Sequence, residues 1–150
     1  MADNKKEITD KNSKPTAKRL RKFDNDEIDR KFDEFEKTIE IRLFDDVYRK
    51  LDAISAVINI SMEKIASVLL DEKIINIDVV KYVETISNLE LDDRYRPGNH
   101  VKVKFSSESN RRLKIFAGVK NCSSDDLVTY FVEEKINEID LVKFVKEEFN

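Results

Sequence analysis

The chain has 150 residues, of which 39% are charged and 40% hydrophobic, with a net charge of −3 and only two Gly and two Pro. That frame fits one compact domain, or two small halves sharing a core, built of surface helices with few breaks. It excludes a disulfide or cysteine-rich zinc framework, because Cys122 is the single cysteine. No apolar run approaches the roughly 20 residues of a membrane span and no signal peptide precedes the first charged segment, so a cytoplasmic protein is expected.

Residues 1–23 carry eight basic side chains (Lys5, Lys6, Lys11, Lys14, Lys18, Arg19, Arg21, Lys22) against Asp3, Glu7 and Asp10. With little apolar content, this segment is expected to be a flexible basic arm, either a solubilising tail or a contact for a polyanion. Residues 24–37 turn acidic, with Ile28, Phe32 and Phe35 at helical spacing, and predict a short amphipathic helix capped by Asp24 or Asp26.

Residues 38–88 form the first of two similar units. Ile39-Glu40-Ile41-Arg42-Leu43 alternates apolar and polar side chains, the signature of a strand with one buried face. From Asp45 or Asp46, Val47, Leu51, Ile54 and Ile58 fall on one stripe of a helix. Asn59 suits the left-handed turn that ends a helix, and Ser61 the N-cap of the next, which runs from Met62 to about Ile74. Ile77, Val80 and Val83 continue the apolar pattern, as a bent extension or a third helix over Ile77–Ser87. Residues 89–99, with Pro97-Gly98-Asn99, read as a linker with a turn.

Residues 100–150 repeat the unit 62 positions on without a gap. Ile39 maps to Val101, Leu43 to Phe105, Leu51 to Leu113 and Ile54 to Phe116, while Asn59 and Ser61 recur as Asn121 and Ser123. Glu72-Lys73-Ile74 returns as Glu134-Lys135-Ile136, and Ile77-Asp78 as Ile139-Asp140, opening a last helix over Ile139–Phe149. The chain is an internal duplication. A lone strand has no partner for its backbone groups, and two short helices cannot enclose a core. The two strands are therefore expected to pair antiparallel within the chain, over helices that interlock beneath. The fold class is mainly α with a two-stranded antiparallel ribbon. The ribbon turns Thr38, Glu40, Arg42, His100, Lys102 and Lys104 outward, a face whose size and polarity suit the major groove of DNA.

Both units resemble the ribbon-helix-helix (Arc/MetJ-type) DNA-binding family. The resemblance covers Ile39–Ile74 and Val101–Ile136, and lies in the alternating strands, the helix starts Asp45-Asp46 and Ser107-Glu108, the Asn-x-Ser breaks, and apolar Ile65 and Leu127. Two copies in one chain resemble the tandem regulators of archaeal viruses and plasmids. The resemblance implies an intrachain pseudo-dimer whose outward strand residues read bases, acting in transcription regulation, in the host cytoplasm if the source is viral. It also implies phosphate contacts at the starts of the second helices, Ser61 and Met62 in one unit and Ser123 and Ser124 in the other. Lys18, Arg19, Arg21 and Lys22 of the arm are further candidates for phosphate.

The chain departs from the family pattern in two places. Glu63, Asp125 and Asp126 follow the second-helix caps, where acids suit the helix dipole but repel phosphate. Glu40 stands in the middle of the first strand's outer face, where it would accept from cytosine N4 or serve pairing alone. One histidine and one distant cysteine make no catalytic or metal constellation, and the carboxylates read as solvent-facing, so no enzyme, cofactor or small-molecule substrate is expected. Double-stranded DNA is the expected partner, with self-association through the third helices, making the regulator an oligomer. The alternative is a helical protein-protein interaction or structural protein that uses the duplication only for assembly.

Overall fold

The computed structural model describes residues 24–150; the arm expected over 1–23 lies outside the described residues. In chain order the elements are α1 (Asn25–Glu34), β1 (Lys37–Arg42), α2 (Asp45–Ile58), α3 (Met62–Ile75) and α4 (Val79–Thr85), then a 3₁₀ turn (Ile86–Asn88). After the linker come β2 (His100–Phe105), α5 (Ser107–Lys120), α6 (Ser124–Asn137) and α7 (Leu141–Phe149). The fold is mainly helical, with one antiparallel sheet of two strands.

Local chemistry explains these boundaries. Asn59 (φ 59°, ψ 47°) and Asn121 (φ 62°, ψ 52°) both adopt the left-handed conformation that ends α2 and α5. Ser61 and Ser123 then cap α3 and α6, their hydroxyls accepting from the N–H of Lys64 at 3.2 Å and of Asp126 at 3.0 Å. Asp78 and Asp140 cap α4 and α7 in the same way, through Lys81 and Lys143. The second and third helices are thus separate in both halves. The third helix of the first half is shorter than Ile77–Ser87, because the backbone tightens into the 3₁₀ turn after Thr85. Asp24 caps α1, accepting from Asp26 and Glu27, and α1 stops at Glu34, three residues short of the expected end. Lys37 already belongs to β1, where it stands opposite Phe105.

In the ribbon, Ile39 faces Val103 and Ile41 faces Val101. Glu40 stands opposite Lys102, the residue at its own position in the second unit. Ile41, Val101, Val103 and Phe105 are buried and Ile39 is half-buried, so one face of the ribbon closes the core. Below it lie Leu51 and Ile54 of α2, Ile65 and Leu69 of α3, Leu113 and Phe116 of α5, and Leu127 and Phe131 of α6, all buried. Each such side chain contributes about 1.5–3 kcal/mol relative to exposure. α1 adds Ile28 to the same core, and Phe35, which follows the helix, adds another ring.

The halves also exchange polar contacts in matched pairs. Asp71 of α3 accepts from the backbone N–H and the hydroxyl of Ser106, at 2.9 and 2.8 Å, where α5 begins. Glu133 of α6, 62 residues on, accepts from the N–H of Phe44 at 3.0 Å, where α2 begins. In the opposite sense, Arg112 of α5 donates to the carbonyl of Ile75 at 3.0 Å, at the end of α3. Lys50 of α2 donates to that of Asn137 at 3.3 Å, at the end of α6. Each second helix therefore holds the start of the other half's first helix and has its own terminal carbonyls capped in return, the arrangement helix dipoles favour.

The expectation that the carboxylates face solvent is corrected here. Glu133 is buried, and Arg96 of the linker clamps it with two bonds, at 3.0 and 2.9 Å. The same guanidinium lies 3.8 Å from the centre of the Phe44 ring. The apolar residues of the third helices divide between packed and exposed. Val83 and Val145 are half-buried, but Val80, Val142 and Phe149 are exposed rather than packed within the chain. Tyr82 carries the packing of α4 instead, edge-on to Phe116 at 4.9 Å, and burial pushes its phenol up to about 12.

Removing Glu133 takes its carboxylate from the half-buried Arg96 guanidinium and leaves the N–H of Phe44 without an acceptor. Glu133→Ala is expected to lower stability by about 3 kcal/mol, and Glu133→Gln by less, since an amide oxygen still accepts from Phe44. Urea unfolding measures both. A loss under about 1 kcal/mol for the alanine variant would class the pair with ordinary surface ion pairs.

Candidate nucleic-acid interface

A strand alternates its side chains between two faces, so burying Ile41, Val101 and Val103 sends their neighbours outward. The register sets Thr38 opposite Lys104, Glu40 opposite Lys102 and Arg42 opposite His100. The structure thus brings all six expected strand residues onto one face of the ribbon. Thr38, Glu40, Arg42, His100 and Lys102 are exposed and Lys104 is half-buried.

The six are not equivalent. Glu40 lies across from Lys102, and its Oε2 is also 3.4 Å from Nδ1 of His100. The centre of the face is therefore a mixed-charge cluster. At one end Arg42 lies 6.0 Å from the ring of Tyr95 in the linker. At the other, the Lys104 ammonium leans to the side and lies 4.3 Å from the centre of the Phe32 ring in α1. Strand alternation alone would project Lys104 from the outer face like Lys102; the aromatic ring beside it draws it toward the edge instead.

The edges are flanked by the two second helices, and these too carry the expected positions. The hydroxyls of Ser61 and Ser123 are engaged as helix caps, and Met62 and Ser124 are half-buried. Beside Ser61, α1 covers the flank, with Asp29 2.5 Å from the Lys64 ammonium. Beside Ser123, the linker forms a groove lined by Glu40, Arg42, Asp92, Arg94, Asp125 and Asp126. Arg94 binds Asp92 at 2.6 Å and holds that carboxyl down at about 2. Lys18, Arg19, Arg21 and Lys22 lie outside the described residues.

The sequence shows Phe32 only as part of an apolar helix stripe, and Tyr95, Asp71 and Glu133 escaped sequence reasoning. A signal existed for the last two: a carboxylate recurs at one repeat position, directly after Val68-Leu69-Leu70 in one half and directly after Phe131-Val132 in the other. Among the described residues no group of three His, Cys, Asp or Glu side chains is placed to hold a metal ion. No single described helix is long and apolar enough to cross a membrane.

Comparison with protein-family models, with curated proteins and with solved structures returned no match.

The central cross-strand pair is directly measurable. Glu40→Lys would set like charges opposite each other and is expected to lower stability by about 0.2–1 kcal/mol, with Lys102→Glu restoring it in the double variant. A thermal double-mutant cycle reads the coupling. Additive effects would show that Glu40 does not interact with Lys102.

Proposed function

We propose that the protein is a sequence-specific double-stranded DNA-binding transcriptional regulator, a tandem ribbon-helix-helix pseudo-dimer with no enzymatic activity. The observation that carries this reading is the strand register, which gathers Thr38, Glu40, Arg42, His100, Lys102 and Lys104 on a single outward face. A two-stranded ribbon has the width to enter the major groove. There Arg42 and Lys102 would donate to guanine O6 and N7, Thr38 would meet thymine or adenine edges, and Glu40 would accept from cytosine N4.

The two strands present different side chains, so the preferred site is asymmetric or an imperfect repeat. Strand β1 offers Glu40 and Arg42, which cancel, whereas β2 offers Lys102 and Lys104. Most of the attraction to DNA should come from β2. A second reading, a protein-protein interaction module, is favoured by one specific feature: the carboxylate-lined groove beside Asp125 and Asp126 suits a cationic partner better than a phosphate backbone.

Binding to a random-sequence duplex over a range of salt separates the two. A DNA-binding regulator must lose affinity steeply as salt rises, and selection from a random pool must then yield a defined site. On that site, Lys102→Ala is expected to cost about 1–3 kcal/mol, whereas Glu40→Ala leaves non-specific binding unchanged or strengthens it. Salt-independent binding, or none, would favour the interaction module.

Self-association through the third helices belongs to the same proposal, supported by exposed Val80, Val142 and Phe149 on α4 and α7. Replacing Val142 and Phe149 with Asp should lower the mass in solution. An unaltered mass with retained folding would refute that part alone.

A further inference from the structure

The two flanks of the ribbon, equivalent by sequence position, differ in charge. On the α1 side, Lys64 from the start of α3 and Lys104 from the end of β2 converge on one aromatic ring. Their ammonium groups lie 5.8 and 4.3 Å from the centre of Phe32. Both are held from behind. The buried Ser67 hydroxyl accepts from the backbone N–H of Lys104 at 2.8 Å, tying the strand end to α3, and Asp29 grips the Lys64 ammonium. The hydrogen bond to Asp29, with the charges of Asp29 and the nearby Asp33, raises the pKa of Lys64. Among the described residues, no carboxylate stands within ion-pair distance of the Lys104 ammonium, which has the ring as its neighbour.

The opposite flank reverses this chemistry. Asp126 occupies the repeat position of Lys64, Arg42 that of Lys104 and Arg94 that of Phe32. Asp92, Asp93, Asp125 and Asp126 gather there around Arg42 and Arg94, and Arg94 is already paired with Asp92. A phosphodiester strand passing beside the ribbon meets, on one side, two ammonium groups balanced by Asp29 and the nearby Asp33, and on the other four aspartates against Arg42, Arg94 and Arg96.

We propose that Lys64 and Lys104, held over Phe32 by α1, form a one-sided anchor for the phosphodiester backbone of duplex DNA, with Asp29 as the counter-ion that phosphate displaces. The inference rests on the DNA-binding reading and narrows it. Lys104 becomes a phosphate contact rather than a base reader, and base reading passes to the other five outward residues. Helix α1, which precedes the repeated units, then builds the anchor for one half only.

Salt dependence of binding to a random-sequence duplex, by the full chain and its variants, tests the anchor. Each phosphate contact contributes about 0.9 to the slope of log affinity against log salt. Lys64→Ala and Lys104→Ala should each flatten the slope by about that amount, and Lys64→Arg should keep it. Asp126→Ala should not flatten it, and Asp126→Lys should steepen it by about the same increment. Ethylation interference on a selected duplex should show sensitive phosphates on one side of the ribbon. A salt-dependent wild type whose slope is unchanged by both alanine variants, or interference equal on the two sides, overturns the anchor while leaving DNA binding intact. A wild type that binds no duplex removes the DNA-binding reading and the anchor with it.

Discussion

Every backbone N–H and C=O along a strand needs a partner, and in this protein β1 has only β2 to supply one among the described residues. The two strands are separated by three helices and a linker, so neither half can complete its own secondary structure until the chain has folded back on itself. A ribbon of two strands is marginal without a hydrophobic face to cover. Here the covered face is shared, because Ile41 from one half and Val101, Val103 and Phe105 from the other close a single core. The register then fixes everything above the ribbon. A slip of one residue would turn the buried set outward and bury Glu40 and Lys102 in its place.

The same dependence recurs below the ribbon, in polar form. Asp71 and Glu133 each hold the start of a first helix in the opposite half, and Arg112 and Lys50 each cap the end of a second helix across the same boundary. Such contacts have direction, which hydrophobic packing lacks. They hold the halves in one relative orientation, and hence hold the strands in one register. Glu133 carries an extra burden because it also receives Arg96, and through it the linker is fastened against α6 and Phe44. The linker is thereby a structural wall of the ribbon's flank and not merely a tether.

The scaffold is symmetric between the two halves and the surface asymmetric. Caps, breaks and reciprocal contacts fall at matching positions in the two halves, since each serves a backbone group that the other half also has. The outward side chains serve no such group, and they differ: Glu40 against Lys102 and Lys64 against Asp126. A surface of this kind distinguishes its two ends. A symmetric pair of identical chains could not.

Much of the fold was legible in the residues themselves. Period-2 alternation located both strands and the face each would bury, and the Asn-x-Ser breaks located the helix ends, because these signals depend on local backbone preference and on burial of one face. The 62-residue register implied that the strands pair. Tertiary structure alone decided three things. Glu133 is buried and Asp71 half-buried because their partners, 89 and 35 residues away in the chain, are backbone and side-chain donors from the other half. Val80, Val142 and Phe149 stay exposed because Tyr82 and Phe144 already fill the contacts of their helices. The Lys104 ammonium turns to the edge of the outer face because α1, docked by Ile28 with Phe35 just after it, sets the Phe32 ring beside it. In the first and third cases the deciding neighbour comes from a distant part of the chain, and a pattern read along the sequence records only what a residue prefers, not which surface arrives beside it.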